Sequence, residues 1–342
     1  MAKYRYVAIV LGLAAGLTIS WWLGLGGFLS VPHSMADSAA APEQDATDEA
    51  AVESSALALT TIPAPTPVQK GVITSHKYEG GGYLLYIPTS AGLGRPLTLL
   101  VSIRGMGDRP EDFATGFAPR AEANGWILIV PRFNYGDWKQ IETLRADDRA
   151  NLAWLNSLLD VLPGQIPFPI RNKILIYGFS RGAQSAHRFA LMHPERVLAT
   201  ASMSAGTYTL PVATTTPSGK APLDFPLGVA DLDRYCGGPF DPADVRHVAF
   251  WIGVGEKDNS PGDVPQSWDQ YIGSTRVERA RTFAKAMANL GAPVQLEIIP
   301  RLGHGESARS RARALAFLKQ REAQAEAAAQ QGSADPAAPG PR

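Results

Sequence analysis

Residues 174–184, ILIYGFSRGAQ, decide the fold of this 342-residue chain. The apolar run predicts a buried strand, and small residues at Gly182, Ala186 and Ala190 recur at helical spacing after it. Between strand and helix lies Gly-x-Ser-x-Gly, a pattern that needs a sharp, strained turn exposing the Oγ of Ser180 above the sheet. The N-terminus of the following helix directs free N–H groups towards the same point. Ser180 is therefore a candidate nucleophile, and the alternative is a glycine-rich turn with an incidental serine.

Further short apolar runs lie on both sides of this segment. Most are continuous rather than alternating, as in strands covered on both faces of a parallel sheet. A helix with four leucines on one face begins near Asp147, and a later helix has the capping box Thr275-x-x-Glu278 with Gly291 at its end. The alternation predicts an α/β fold, with a mainly parallel sheet flanked by helices, over residues 70–321. The predicted strands are 83–88, 97–103, 126–131, 173–177, 248–254 and 294–299.

The turn and its helix, GFSRGAQSAHRFALMHPERV, resemble the α/β-hydrolase family, and the resemblance spans roughly residues 72–320. It implies the α/β-hydrolase fold, a serine hydrolase with triad order Ser, acid, His, and an oxyanion hole after an early strand. The loops are similar to the serine esterase and polyhydroxyalkanoate-depolymerase-like branch, which implies hydrolysis of a carboxylic ester. A peptidase, thioesterase or acyltransferase would use the same triad, and a non-catalytic binding protein on this scaffold is a further alternative.

The resemblance places the other two triad members in later loops. Only His304 follows the last predicted strand, and a neutral imidazole there can take the serine proton and return it. The acid is expected after the preceding strand, where Asp258 is our choice and Glu256 and Asp263 compete. Asp258 would hold the tautomer of His304 and stabilise the imidazolium. The alternatives are a structural loop histidine and a solvated turn aspartate.

The oxyanion hole is expected where residues 100–107 end a strand in a glycine-rich loop. The family commonly has His-Gly at this place, and this chain departs from it with Arg104-Gly105. By position, the backbone N–H groups of Met106 and Arg181 are the expected donors. Backbone donors can survive the change of side chain, although it puts the loop geometry in doubt. The alternative is an ordinary tight turn.

Residues for substrate binding are sought in the loops at the strand ends, because such loops line the ligand crevice of open α/β sheets. Tyr135 and Trp138 follow a strand and are predicted to contact substrate, with surface packing as the alternative. Residues 206–245 do not fit the alternation and are predicted to be an insertion or a lid over the pocket. Their aromatic residues fit an apolar acyl or aryl group.

Both ends of the chain are predicted to lie outside the catalytic domain. Residues 7–29 are almost continuously apolar after Lys3 and Arg5, and as a helix they would reach about 35 Å. We predict that residues 1–34 are an uncleaved, single-pass membrane anchor, with the catalytic domain outside the cytoplasm. The alternative is a cleaved signal peptide, which would leave a secreted or periplasmic enzyme. Residues 35–69 are predicted to be a disordered Ala/Pro/acidic linker and residues 322–342 a disordered tail.

Composition excludes several other classes of protein. Lys and Arg number 32 and Asp and Glu 32, and this balance without a basic stripe argues against a nucleic-acid partner. Cys236 is the single cysteine, which excludes an intramolecular disulfide framework and a cysteine-rich metal site. No metal or phosphate-loop motif is present, so we expect neither metal nor organic cofactor. The expected partner is a small-molecule or polymeric ester substrate, and the sequence carries no signal for an oligomeric state.

Overall fold

The computed structural model describes residues 68–215 and 221–333. The predicted anchor at 1–34 and all but the last two residues of the predicted linker lie outside this range. Within it, no helix combines the length and the apolar character that crossing a membrane would need.

In the described residues, eight strands form one sheet in the order β1-β2-β4-β3-β5-β6-β7-β8. The pairs β1–β2 and β2–β4 are antiparallel, and every other neighbouring pair is parallel. The predicted α/β class with a mainly parallel sheet is therefore confirmed. The strands are β1 (Ile73–Tyr78), β2 (Gly81–Tyr86), β3 (Thr98–Ile103), β4 (Trp126–Pro131), β5 (Ile174–Phe179), β6 (Val197–Met203), β7 (Ala249–Gly255) and β8 (Val294–Ile299).

Helices cover both faces of the sheet. The hydrophobic cluster on one face includes residues of α2, α3 and α7, and the cluster on the other includes residues of α1 and α8. Alternate residues of one strand enter opposite clusters, as Val101 and Leu100 of β3 do, which explains the continuous apolar runs. The helices are α1 (Pro110–Asn124), α2 (Ile141–Gln165), α3 (Arg181–Met192), α4 (Asp233–Cys236), α5 (Pro242–Val245), α6 (Asp269–Ile272), α7 (Arg276–Leu290) and α8 (Ala308–Ser333).

Local sequence signals predict some element boundaries correctly and miss others. The capping box of Thr275 and Glu278 starts α7, and Gly291 ends it with a φ of 95°. The helix expected from Asp147 begins earlier, at Ile141. Strands β1 and β6 and helix α1 were not predicted, because β1 is a largely polar strand at the sheet edge and β6 is rich in Ala, Ser and Thr.

The prediction of a disordered tail from residue 322 is wrong for residues 322–333, which continue α8. Two glutamates tie this part of the helix to the domain. Glu322 accepts a hydrogen bond of 2.7 Å from the indole of Trp126, and Glu326 forms an ion pair with Arg171. The sequence does not reveal these contacts, because they join residues more than 150 positions apart and the composition of the segment is typical of a tail.

The strand order brings four loops to one edge of the sheet. β3 lies between β4 and β5, so the chain leaves β3 in one direction and returns on its other side at β5. A crevice opens at such a switch point, beyond the carboxyl ends of the strands. The loops after β3 and β5 flank that crevice, and those after β7 and β8 open on the same edge.

Candidate active site

The turn after β5 has the strained geometry that the sequence predicts. Ser180 has φ 52° and ψ −112°, a region that costs a non-glycine residue about 1–3 kcal/mol. Close approach explains the two glycines. A Cβ on Gly178 would lie 2.2 Å from the carbonyl oxygen of Gly182, and one on Gly182 would lie 2.2 Å from that of Ile103. The turn therefore packs α3 against β3 and leaves Ser180 at its tip.

Ser180, His304 and Asp258 form a continuous chain of hydrogen bonds. The Oγ of Ser180 lies 3.0 Å from Nε2 of His304, and Nδ1 of His304 lies 2.9 Å from Oδ2 of Asp258. A carboxylate only accepts, so Nδ1 carries a proton and the Nε2 lone pair faces the serine. Asp258 is buried, whereas the side chain of His304 is 36% exposed at the cavity. The structure thus brings the three residues together in the order expected for a nucleophile, a base and an orienting acid.

The loop that carries His304 reaches the serine because it crosses the end of β7. A Cβ on Gly255 would lie 2.3 Å from the carbonyl oxygen of Leu302 and 2.4 Å from that of Gly303. The N–H of Lys257 donates to Leu302 O at 2.8 Å and fixes the crossing. Only glycine at position 255 permits this approach.

Glu306 holds the same loop from the other side. Its carboxylate accepts from the hydroxyl of Tyr177 in β5 and, at 2.9 Å, from Arg311 in α8. Burial and the neighbouring Glu306 raise the pKa of Tyr177, so this phenol remains a donor. Glu306, two residues after His304, therefore anchors the histidine loop to β5, the strand that ends in the serine turn.

The two carboxylates that compete with Asp258, and the buried His187, lie outside the hydrogen-bonded chain. Glu256 accepts from the backbone N–H of Arg301 at 2.9 Å, and Asp263 lies on the cavity rim. His187 is fully buried, with Nδ1 donating to Ala183 O and Nε2 accepting from the N–H of Thr209. Burial, and then the charge of Arg188, lower the pKa of His187 to about 3, so it stays neutral. None of the three forms a hydrogen bond with Ser180 or His304.

Arg104 organises the loop after β3. Its guanidinium donates to the carbonyls of Gly105 at 2.8 Å and Met106 at 3.1 Å, and to that of Phe133 at 2.7 Å. The N–H of Gly105 is taken by Asp108 at 3.0 Å. Arg104, which stands where the family commonly has histidine, thus supplies three hydrogen bonds that hold this loop. Met106 lines the cavity beside Ser180.

Arg181 contributes its backbone to the cavity and its side chain to the core beneath. As the first residue of α3, it has an N–H group without an intrahelical acceptor. Its guanidinium donates to Asp148 of α2 at 2.8 Å and lies over the ring of Tyr135. The sequence did not identify Asp148, although an acidic residue beside a leucine-lined helix face was a usable signal.

Asp148 is the centre of a buried ionic cluster that joins α2 to α3. Arg188 and Ser185 also donate to its carboxylate. Burial by itself would raise the pKa of Asp148, but the charges of Arg181 and Arg188 outweigh it and lower the pKa. These ion pairs thus hold α3, the helix that follows the serine turn, against α2.

A cavity of about 780 Å³ opens at Ser180, and Trp138 lines it, while its contact with substrate stays a prediction. Tyr135 does not line it. Its ring lies between the guanidinium groups of Arg104 and Arg181, and its hydroxyl donates to Arg104 O at 3.3 Å. The structure thus places Tyr135 behind the cavity wall, and its contact with substrate stays a prediction.

Residues 206–245, predicted to be an insertion or a lid, contribute little to the cavity wall. In this stretch the described residues, 206–215 and 221–245, contribute only Gly206 to the cavity wall. Tyr208 and Phe225 are fully buried, and Thr207 and Thr209 accept hydrogen bonds from Arg188 of α3. This stretch packs against the core, and the cavity rim is formed by the loops around Gly107 and Asp263.

Within the described residues, no group of three or more His, Cys, Asp or Glu side chains is arranged to hold a metal ion. Cys236 has a free, partly buried thiol. Its Sγ donates hydrogen bonds to two nearby backbone carbonyls, those of Leu232 and Gly238.

The comparisons with known proteins address the fold. No model of a protein family matches the sequence, and no curated protein matches it. Among solved structures, poly(aspartic acid) hydrolase-1 from Sphingomonas sp. KT-1 is 19% identical, with a TM-score of 0.55 over 72% of this chain and 98% of that one. The poly(3-hydroxybutyrate) depolymerase LpqC from Bordetella parapertussis is 19% identical, with a TM-score of 0.52 over 72% and 94%.

These likenesses agree with the strand order, the strained turn after β5 and the loops that meet above it. At 19% identity they establish architecture and leave the reaction to be argued from the site. The chain has the α/β-hydrolase fold.

Proposed function

We propose that the chain is a serine hydrolase that cleaves a carboxylic ester through an acyl-enzyme. The observation that carries the proposal is the hydrogen-bonded chain from Ser180 Oγ through His304 to Asp258, built on a strained turn at an open cavity. In this proposal Ser180 attacks the ester carbonyl while His304 Nε2 takes its proton. Asp258 fixes the imidazole and stabilises its charged form.

The rest of the cycle uses the same groups. The backbone N–H groups of Met106 and Arg181 stabilise the negative oxygen of the tetrahedral intermediate, with Arg104 holding the first of them in place. His304 then donates its proton to the departing alcohol, and the acyl group remains on Ser180. A water molecule deprotonated by His304 attacks the acyl-enzyme and releases the acid. The exposure of His304 supports hydrolysis over acyl transfer, because water reaches the base.

The substrate in this proposal is a small or polymeric ester, in line with the resemblance to the esterase and depolymerase-like branch. Trp138 supplies an aromatic surface at the cavity wall. The cavity volume of about 780 Å³ accommodates more than a short acyl group. Trp138→Ala should raise KM more than it lowers kcat if the indole contacts the substrate.

The test is turnover of p-nitrophenyl esters of increasing acyl length by the full-length chain in detergent. Ser180→Ala, His304→Ala and Asp258→Asn should each lower kcat/KM by about 10³-fold or more. Ser260→Ala and His247→Ala are matched controls at exposed positions outside the cavity wall, and they should retain activity. Folded wild-type protein without turnover of any ester, or Ser180→Ala with full turnover, would contradict the proposal.

We further propose that residues 1–34 tether the enzyme to a membrane, with the catalytic domain outside the cytoplasm. The support is the sequence alone: an apolar run of sufficient length with basic residues on one side. The expected result is full-length protein in the membrane fraction, with its N-terminus at Met1. A mature N-terminus near residue 42 in the soluble fraction would instead show a cleaved signal peptide.

A further inference from the structure

One wall of the cavity contains polar groups that the proposed reaction does not use. Gln184, Gly206 and Arg276 lie there together. Gln184 follows Ser180 by one turn of α3, which places it about 6 Å farther along the helix axis. Gln184 and Arg276 are almost fully buried residues, with exposures of 6% and 8%. Polar side chains buried beside a cavity need either a protein partner or a ligand.

The amide of Gln184 has a fixed orientation. Its Oε1 accepts from the hydroxyl of Thr207 at 2.9 Å and from Nη1 of Arg188 at 3.5 Å. The opposite group, Nε2, therefore faces Gly206 with its two N–H donors. Among residues 68–215 and 221–333, no acceptor for this Nε2 is found.

Arg276 presents a second free donor to the same space. Its Nη1 donates to Asp258 at 3.0 Å and its Nη2 to the carbonyl of Asp263 at 2.7 Å. Its Nε is buried and has no partner within the described part of the chain.

Gly206 shows where the two donors converge. A Cβ at this position would lie 3.2 Å from Nε2 of Gln184 and 3.7 Å from Nε of Arg276. Gly206, Gln184 and Arg276 all line the cavity, and residue 206 has no side chain that would cover the other two. A ligand atom can therefore approach Nε2 of Gln184 from the cavity, with Arg276 beside it.

The chemistry of the donors indicates the group that they bind. The charge of Arg276 is already balanced by its ion pair with Asp258. Gln184 and Arg276 together therefore offer directed N–H groups with little net charge. Asp263 adds a carboxylate at the rim. The group that suits this wall is a carbonyl-type oxygen, either the neutral oxygen of a second ester or one oxygen of a carboxylate.

We propose that Gln184 and Arg276 form a subsite for a second carbonyl-type oxygen in the acyl part of the substrate. The proposal rests on the proposed ester hydrolysis and specifies its substrate class: esters with another ester or carboxylate a few bonds beyond the scissile carbonyl. A simple fatty acyl ester fills the cavity but leaves both donors without an acceptor. The enzyme should therefore prefer acyl groups that carry a second oxygen, because acyl groups without one leave the donors without a hydrogen-bond acceptor.

The experiment compares three p-nitrophenyl esters with the same five-carbon acyl chain: valerate, hemiglutarate and methyl glutarate. Valerate lacks an acceptor, hemiglutarate carries a carboxylate, and methyl glutarate carries a neutral ester. The full-length chain should hydrolyse at least one of the two glutarates with a kcat/KM about tenfold or more above that of valerate. The comparison of the two glutarates distinguishes the charged from the neutral acceptor.

The decisive variant is Gln184→Glu, which keeps the acceptor for Thr207 and Arg188 and removes the two donors. The ratio of glutarate to valerate kcat/KM should fall to about one or below. Gln184→Met removes the donors without adding charge and should reduce the same ratio. Gln266→Glu is the matched control, since it adds the same charge at an exposed position outside the cavity wall.

Binding separates this proposal from the reaction on which it rests. The Ser180→Ala protein, titrated by ligand-observed NMR, should bind dimethyl glutarate more tightly than methyl valerate, and Gln184→Met should remove the difference. Equal binding, or a glutarate-to-valerate ratio unchanged by Gln184→Glu in an active enzyme, would overturn the subsite alone. Wild type without turnover, combined with the expected binding difference, would overturn the ester hydrolysis and support the subsite.

Discussion

Replacing Asp148 by Asn should weaken the whole domain, although Asp148 does not itself line the cavity. Its carboxylate is fully buried and accepts from Arg181 at 2.8 Å, from Arg188 and, at 3.1 Å, from Ser185. Asparagine has nearly the same shape but no charge. The substitution therefore removes the counter-ion of the buried Arg188 and leaves Arg181 with only its longer ion pair to Asp147, at 3.8 Å.

The magnitude follows from this burial. Breaking a buried ion pair by removing one partner costs about 3–5 kcal/mol, because the other charge stays buried and uncompensated. A domain of ordinary stability unfolds with about 5–15 kcal/mol, so the loss is a large part of the total. Asp160 provides the matched control: it pairs with Arg196, and both side chains are substantially exposed, at 56% and 29%. Asp160→Asn should cost about 0–1 kcal/mol.

Urea denaturation of both variants, followed by circular dichroism, measures the two losses. We expect the midpoint of Asp148→Asn to fall far below that of wild type, and the midpoint of Asp160→Asn to remain close to it. Equal small shifts for the two variants would refute the reasoning, since they would show that the buried cluster does not hold α2 and α3 together.

Three further predictions concern the loops and the core. Gly255→Ala should lower kcat/KM by about 100-fold while the protein stays folded, because the added methyl displaces the loop that carries His304; an active variant would contradict the crossing of that loop. Arg104→Met should lower kcat by about 10- to 100-fold with a smaller change in KM, since it frees the loop that carries Met106; equal changes in both constants would indicate a role in binding instead. His187 is neutral when folded down to about pH 3, whereas the unfolded chain takes up a proton below about pH 6.5. The free energy of unfolding therefore decreases as the pH falls from about 6.5 towards 3, by up to about 1.4 kcal/mol per pH unit. In urea denaturation at pH 7 and pH 5, the free energy of unfolding of His187→Gln should depend less on pH than that of wild type.

The sequence predicted the parts of the site that depend on short-range patterns. The turn at Ser180 needs a strand, two glycines and a helix in immediate succession, and all of them are visible in 11 residues. The strands of the sheet interior were visible for a similar reason, because burial on both faces makes them continuously apolar. The structure also places His304 and Asp258 beside Ser180, although their choice relied on the resemblance to a family.

What the sequence missed depends on contacts between distant segments. Strand β6 consists largely of small residues because α3 packs closely upon it, as the hydrogen bond from Ser202 Oγ to Ala183 O shows. Tyr135 follows a strand end as a substrate-binding residue would, but the two arginines that enclose its ring come from positions 104 and 181. The composition of residues 322–333 resembles that of a tail, and only the partners of Glu322 and Glu326 show that it is docked.

The central claim is that Ser180 is a nucleophile activated by His304, and covalent labelling tests it most directly. The full-length chain would be treated with a fluorophosphonate, and the adduct located by peptide mass spectrometry. We predict one adduct, on Ser180, and its loss in His304→Ala protein that remains folded. A folded wild-type chain that stays unlabelled, or an adduct on another serine that persists in Ser180→Ala, would contradict the account.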